Sequence, residues 1–126
     1  MSDAGEPLPG PRRLVWQGEG PYAPLLEGPP GTRGMRSGRV SLKAGEEVGE
    51  HSTGAHEEIV IVVKGRGRAL ARGREPIDIQ AGQAVYVPPH TVHNMQNADA
   101  PLFEYLFVVA PVPEAGAGAT PEPTRP

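Results

Sequence analysis

Apolar residues recur along this chain in short runs that glycine and proline interrupt about every ten residues. Met35 to Lys43 alternates, with Val40 and Leu42 on one face and Arg39, Ser41 and Lys43 on the other. That period of two marks a half-buried strand. The strongest strand signal is Glu58 to Lys64, where Ile59 to Val63 form an unbroken β-branched run long enough for a buried sheet. Shorter strands are expected near Tyr22–Leu26, Val48–Thr53, Arg68–Arg72, Glu75–Gln80, Ala84–Val87, His90–Asn97 and Leu102–Val109, with Leu14–Trp16 as an edge strand. Turns are expected at Lys43–Gly45, Ser52–Ala55, Gly65–Gly67, Gly73, Ala81–Gly82, Pro88–Pro89 and Asn97–Pro101. No segment keeps a helical period beyond one turn. Some eight short strands with tight turns predict an all-β chain, a small antiparallel barrel or sandwich.

Composition narrows this picture in a few places. A chain of 126 residues is one domain. Its net charge is −3, and the two signs are mixed along the chain. No basic cluster or aromatic platform points to nucleic acid. With 0 cysteines, disulfides, thiolate catalysis and cysteine-ligated metals are excluded. Part of the high glycine and proline content lies at the ends. Residues 1–11 read as a flexible N-terminal segment and 111–126 as a Pro/Ala/Gly-rich tail, which leaves 12–110 as the folded domain. The N-terminus has no apolar core of a signal peptide, and no stretch approaches a spanning length. A cytoplasmic location without a membrane partner is the expectation.

The chemistry is concentrated. All 4 histidines fall in two segments, Gly45 to Gly65 and Gly82 to Asn97. The first holds His51 and His56 beside Glu57 and Glu58, and the second holds His90 and His93. Imidazole and carboxylate are ligands that divalent first-row metals accept readily. Two His-bearing strands that meet in space are the leading expectation.

The two segments resemble the two signature motifs of the cupin superfamily. In the first, Gly45 is followed by five residues and His51, and Glu58 by six residues and Gly65. In the second, Gly82, Pro88, His93 and Asn97 all fall in register. The resemblance spans roughly Val40 to Val109 and implies a small double-stranded β-helix, or jelly roll. Two positions depart from the family pattern. Thr53 stands where the family has a second histidine, and His90 where it has a glycine.

By this resemblance His51, Glu58 and His93 would ligate one divalent transition metal ion: Fe, Mn, Ni, Co, Cu or Zn. His56 is the substitute fourth ligand, since residues two apart in a strand share a face and His56 lies two before Glu58. A metal-free barrel is the alternative left open by Thr53. Glu58 could instead pair with Arg68 or Arg72, and His56 could be an exposed turn residue. His90 is either a further ligand or a hydrogen-bonding residue at the mouth. Thr53 would line the pocket or bond a turn. Tyr86, Met95 and Asn97 are candidate pocket residues, the last two because they share the facing of His93. Phe103, Tyr105 and Phe107 are core or pocket. Arg36, Arg39, Arg68 and Arg72 are solvated sheet charges unless one points inward, where it would bind an anionic substrate. The resemblance implies a metal-dependent enzyme acting on a small organic molecule, with a dioxygenase-type oxidoreductase preferred and an isomerase or decarboxylase also allowed. The competing reading is a non-catalytic module that binds a sugar or other metabolite. The family also implies a homodimer, with Trp16 as a candidate contact.

Overall fold

The computed structural model describes residues 8–16 and 18–113. The flexible start and the tail expected from composition lie largely outside the described residues. Eight strands account for all regular structure among those described: β1 Tyr22–Glu27, β2 Arg36–Leu42, β3 His51–Ser52, β4 His56–Ala71, β5 Ile77–Gln80, β6 Ala84–Val87, β7 Val92–Gln96 and β8 Phe103–Pro111. All pairings are antiparallel, in the order β1-β2-β8-β4-β7-β3, with β5 and β6 also pairing to β4. The sheet curls on itself, as the all-β pattern predicts.

β4 organises the barrel, and it does so where the sequence suggested a turn. Gly65–Gly67 interrupts no strand; β4 runs through it from His56 to Ala71. The first half pairs with β6 and β8, and the second with β5 and β7. The pairing with β8 shifts register between Val62 and Lys64, and Gly65 follows at φ 75°. Such a bulge with a left-handed glycine bends a strand without ending it. Gly67 sits against the Phe103 ring, and an added Cβ would come within 2.2 Å of it. These glycines therefore mark the corner where β4 passes from one half of the barrel to the other.

The core comprises Leu42, Val60, Val62, Ala69, Ile79, Met95, Phe103 and Tyr105, with Val40, Val85 and Phe107 packed on it. The β-branched run is not buried on both faces. Val60 and Val62 are sealed, whereas Ile59, Ile61 and Val63 are each exposed by more than a third on the outer face. Leu14–Trp16 forms no strand. That stretch is held instead by the buried Arg39, whose guanidinium donates to the carbonyls of Trp16, Gly18 and Gly20 and lies 3.8 Å from Glu104. Arg39 thus points outward into a polar clamp rather than into the barrel. β8 extends the barrel to Pro111, which pairs with His56. No helix among the described residues is long and apolar enough to cross a membrane.

Candidate metal centre

Short strand β3 has one pairing partner, β7, and the register sets His51 directly opposite His93. The rings lie 4.3 Å apart between centroids. Glu58 reaches them from β4: its Oε1 is 3.0 Å from His93 Nε2. Ligand atoms of His51, Glu58 and His93 all lie within 4.8 Å of one another. Residues from the two histidine segments, Glu58 and His93 being 35 apart in sequence, therefore converge on one point.

The hydrogen bonds behind the rings decide which nitrogens face that point. His51 Nδ1 is 2.8 Å from the Gly49 carbonyl, and His93 Nδ1 is 3.1 Å from the Thr91 carbonyl. A carbonyl only accepts, so each Nδ1 carries the hydrogen and each Nε2 is left for a ligand. This is how metal-ligating histidines are oriented. Burial by itself disfavours charge on His93. The Glu58 hydrogen bond, the Thr91 carbonyl and the Glu58 charge outweigh it and raise the imidazole above its ordinary pKa. Without an ion, the Glu58 carboxylate therefore favours the protonated form of His93. A divalent cation satisfies the same carboxylate and both imidazole lone pairs, so the donor set fits a metal with mixed N/O preference.

The supporting residues are partly ones the sequence pattern did not reveal. Asn94 Nδ2 donates to Glu47 at 2.6 Å, and its Oδ1 accepts from Gly49 N, whose own carbonyl holds His51. Amides of Asn94 and Gln96 hold the Glu47 carboxyl below its usual pKa. Asn94 sits on the face opposite His93, so a period-two search for pocket residues passes over it. The only available signal was the accounting for backbone groups around Gly49.

The other candidates separate clearly. His56 lines the same cavity, but its ring is outside the group of three that meets within 4.8 Å. Thr53 is buried; its hydroxyl donates to Pro88 O and accepts from Thr91 N. It therefore braces the residue whose carbonyl orients His93. His90 has φ 54°, alone among described non-glycine residues, which explains why the family frame has glycine there. Its backbone donates to Gly54 O, and it is absent from the cavity lining. Tyr86 falls on the outer face, half exposed, because Val85 and Val87 take the inward positions of β6; its hydroxyl donates to Glu57. Met95 lines the cavity, but Asn97 is at the far end and closes a turn. Arg68 and Arg72 pair with Asp78 and Glu50, which leaves Glu58 to the histidines. Arg36 lines the cavity.

The cavity has a volume of about 560 Å³ and opens beside the triad. Val40, Val109, Phe107, Met95 and Tyr105 line it. That volume is in the range of small-molecule sites. Burial and then the Glu58 charge push the Tyr105 phenol well above its ordinary pKa, so it remains a hydrogen-bond donor.

The family model described as Cupin domain matches residues 38–109. The chain is a cupin. An uncharacterised protein of Methanocaldococcus jannaschii is 26% identical over 83 residues, which are 66% of this cupin and 71% of the relative. A crystal structure from the same organism, described as an RmlC-like cupin with a double-stranded β-helix fold, aligns with a TM-score of 0.69. It is 21% identical over 80% of this chain and 91% of that one. A predicted oxalate decarboxylase from Thermotoga maritima aligns with a TM-score of 0.66 at 25% identity, over 72% and 79% of the two chains. A Cupin 2 conserved barrel protein from Salinispora arenicola gives 0.62 at 23% identity, over 78% and 81%.

Proposed function

We propose that this cupin is a mononuclear metal-dependent enzyme acting on a small organic molecule held in the barrel mouth. The supporting observation is the convergence of His51, Glu58 and His93 at the edge of a 560 Å³ cavity. Two imidazoles and one carboxylate leave coordination positions open, and with Fe(II) such a set supplies a place where dioxygen and substrate meet. A dioxygenase-type oxidation is the preferred reaction. The protein's own contribution is placement: the Gly49 and Thr91 carbonyls fix the two rings, and the apolar lining limits water around the bound molecule.

A decarboxylase is the second reading, favoured by the likeness to the Thermotoga maritima structure described as a predicted oxalate decarboxylase. The experiment is metal analysis of protein purified without chelator, followed by His93→Ala. About one ion per chain, lost in the variant, supports the centre. A metal-free wild type that also takes up no added Fe(II), Mn(II) or Co(II) overturns it. Oxygen uptake against CO2 release by the Fe(II)- and Mn(II)-loaded forms then separates the two reactions.

A second copy of this chain is the proposed partner for the outer face. Ile59, Ile61, Val63 and Tyr86 form an exposed apolar strip there, and Trp16 is also exposed. Light scattering tests it: a single-chain mass at micromolar concentration removes the homodimer.

A further inference from the structure

Cross-strand register sorts the inward residues of the barrel wall into layers. The outermost layer, at the rim, reads Glu27 and Arg36, both exposed, then Val109 and Glu58 across β1, β2, β8 and β4. Below it lie Gly38, Phe107 and Val60, and then Tyr22, Val40, Tyr105 and Val62. The layer that holds the metal ligand Glu58 thus also carries Arg36, with only β8 between them. Neighbouring strands are roughly 4.8 Å apart, so the two backbones are separated by about 10 Å. A guanidinium and a metal ion can reach one small molecule across that distance.

Among the described residues, Arg36 is the only arginine that lines the cavity. Arg39, Arg66, Arg68 and Arg72 each have a carboxylate within 4.0 Å. Arg36 has no ion pair or hydrogen bond from its side chain among the described residues, although Glu27 stands directly opposite it in register. Tyr105 supplies an independent observation. It is 3% exposed, and its hydroxyl has no hydrogen-bond partner among the described residues. No enclosed side-chain polar atom lacks a partner, so the Tyr105 oxygen must open onto the cavity that its residue lines. A phenol kept this deep without a protein partner points to a partner that arrives with the ligand.

We propose that Arg36 and Tyr105 select a small 2-hydroxy or 2-oxo monocarboxylic acid with an apolar side group, an inference that rests on the metal-centre reading. The carboxylate lies between the metal position and Arg36. The neighbouring oxygen accepts a hydrogen bond from Tyr105. The side group packs on Val40, Phe107, Val109 and Met95, which line the same space. Glu27 shares the rim with Arg36 and disfavours a second negative charge on the ligand.

The test uses the full chain loaded with Co(II), whose visible absorption reports on its coordination. Lactate and mandelate are titrated against their neutral amides, with phenylacetate as an acid lacking the 2-oxygen. Free Co(II) itself prefers the acids, so the comparison is between wild type and variants. Arg36→Met is expected to weaken the acids roughly tenfold and leave the amides unchanged, as for loss of a charge-assisted contact, while Arg36→Lys retains part of the effect. Tyr105→Phe is expected to weaken lactate and mandelate roughly fivefold and leave phenylacetate unchanged. Both variants should take Co(II) as wild type does. Variants that bind the hydroxy acids as tightly as wild type overturn the proposal, and so does a wild type that binds neither acid. Failure to take Co(II) instead overturns the metal centre. The same titrations, read by thermal shift on the metal-free protein, then judge Arg36 and Tyr105: selective weakening of the acids upholds their role, and unchanged shifts reject it.

Discussion

The two ends of the barrel treat buried polar groups in opposite ways. β7 runs between them, with His93 at the open end and Asn97 just beyond the closed end. Both side chains point inward and both are almost sealed, at 3% and 1% exposure. Asn97 is fully used by the protein: Nδ2 donates to Leu42 O and Ala100 O, and Oδ1 accepts from Ala100 N. His93 spends one nitrogen on Thr91 and turns the other toward a carboxylate and an open cavity. Facing and burial therefore do not separate the two residues. What separates them is the kind of partner: Asn97 bonds backbone groups and closes a turn, whereas His93 Nε2 meets an ionisable carboxylate at the edge of the cavity.

The contrast predicts that the closed end governs folding. Gly65→Ala should have the largest effect. Its Cβ would sit 1.7 Å from Leu102 O at a backbone φ of 75°, and neither the carbonyl nor the bulge can move freely. A loss of about 4 kcal/mol or more is expected in denaturant unfolding, enough to leave little folded protein. Asn97→Ala should follow at about 3 kcal/mol, because it strands two buried carbonyls and one buried amide. Wild-type stability in either variant would mean that this end does not govern folding.

How much of this was legible beforehand differs between the two ends for a physical reason. Imidazoles and a carboxylate at fixed spacing are visible in a sequence, so His51, Glu58 and His93 stand out there, and the fold brings them together. The alternation over Met35–Lys43 and the short apolar runs between glycines and prolines likewise announce an all-β chain. Gly65 and Gly67 misled, because a glycine that bends a strand and one that ends it look the same without knowing what packs opposite. Period two puts Asn97 in the pocket, because it reports the face but not the depth along the barrel. Tyr86 turns outward because Val85 and Val87 take the inward side of β6. Asn94 and Glu47 were missed because they act on His51 through the Gly49 backbone, a link with no sequence spacing of its own.

At the open end the expectation reverses: function should be lost before stability. Glu58→Gln keeps the shape and removes the ligand charge. Metal affinity should fall at least about a hundredfold in a competitive chelator titration, since even groups behind metal ligands contribute roughly ten- to a hundredfold. The unfolding midpoint of the metal-free protein should change far less than in Gly65→Ala. A collapse of the fold in Glu58→Gln would instead make the His93–Glu58 contact a structural pair.

The smallest effect sharpens the contrast through pH. The His93 pKa is raised in the folded state, so the folded protein binds more protons than the unfolded chain in the window above the ordinary value of about 6.5. The stabilising contribution of the metal-free His93–Glu58 pair is full below that value and is lost as pH rises through the folded-state value. Metal binding needs both imidazoles unprotonated at Nε2, so metal affinity should climb over the same window. Falling apo stability and rising metal affinity should therefore mirror each other, and Glu58→Gln should flatten the first. Asn97→Ala offers the control, because an amide has no proton to lose: it should lower stability equally on both sides of the window. Apo stability that rises with pH there, once other groups are matched through Glu58→Gln, would show that the His93–Glu58 contact does not stabilise the fold as an ion pair.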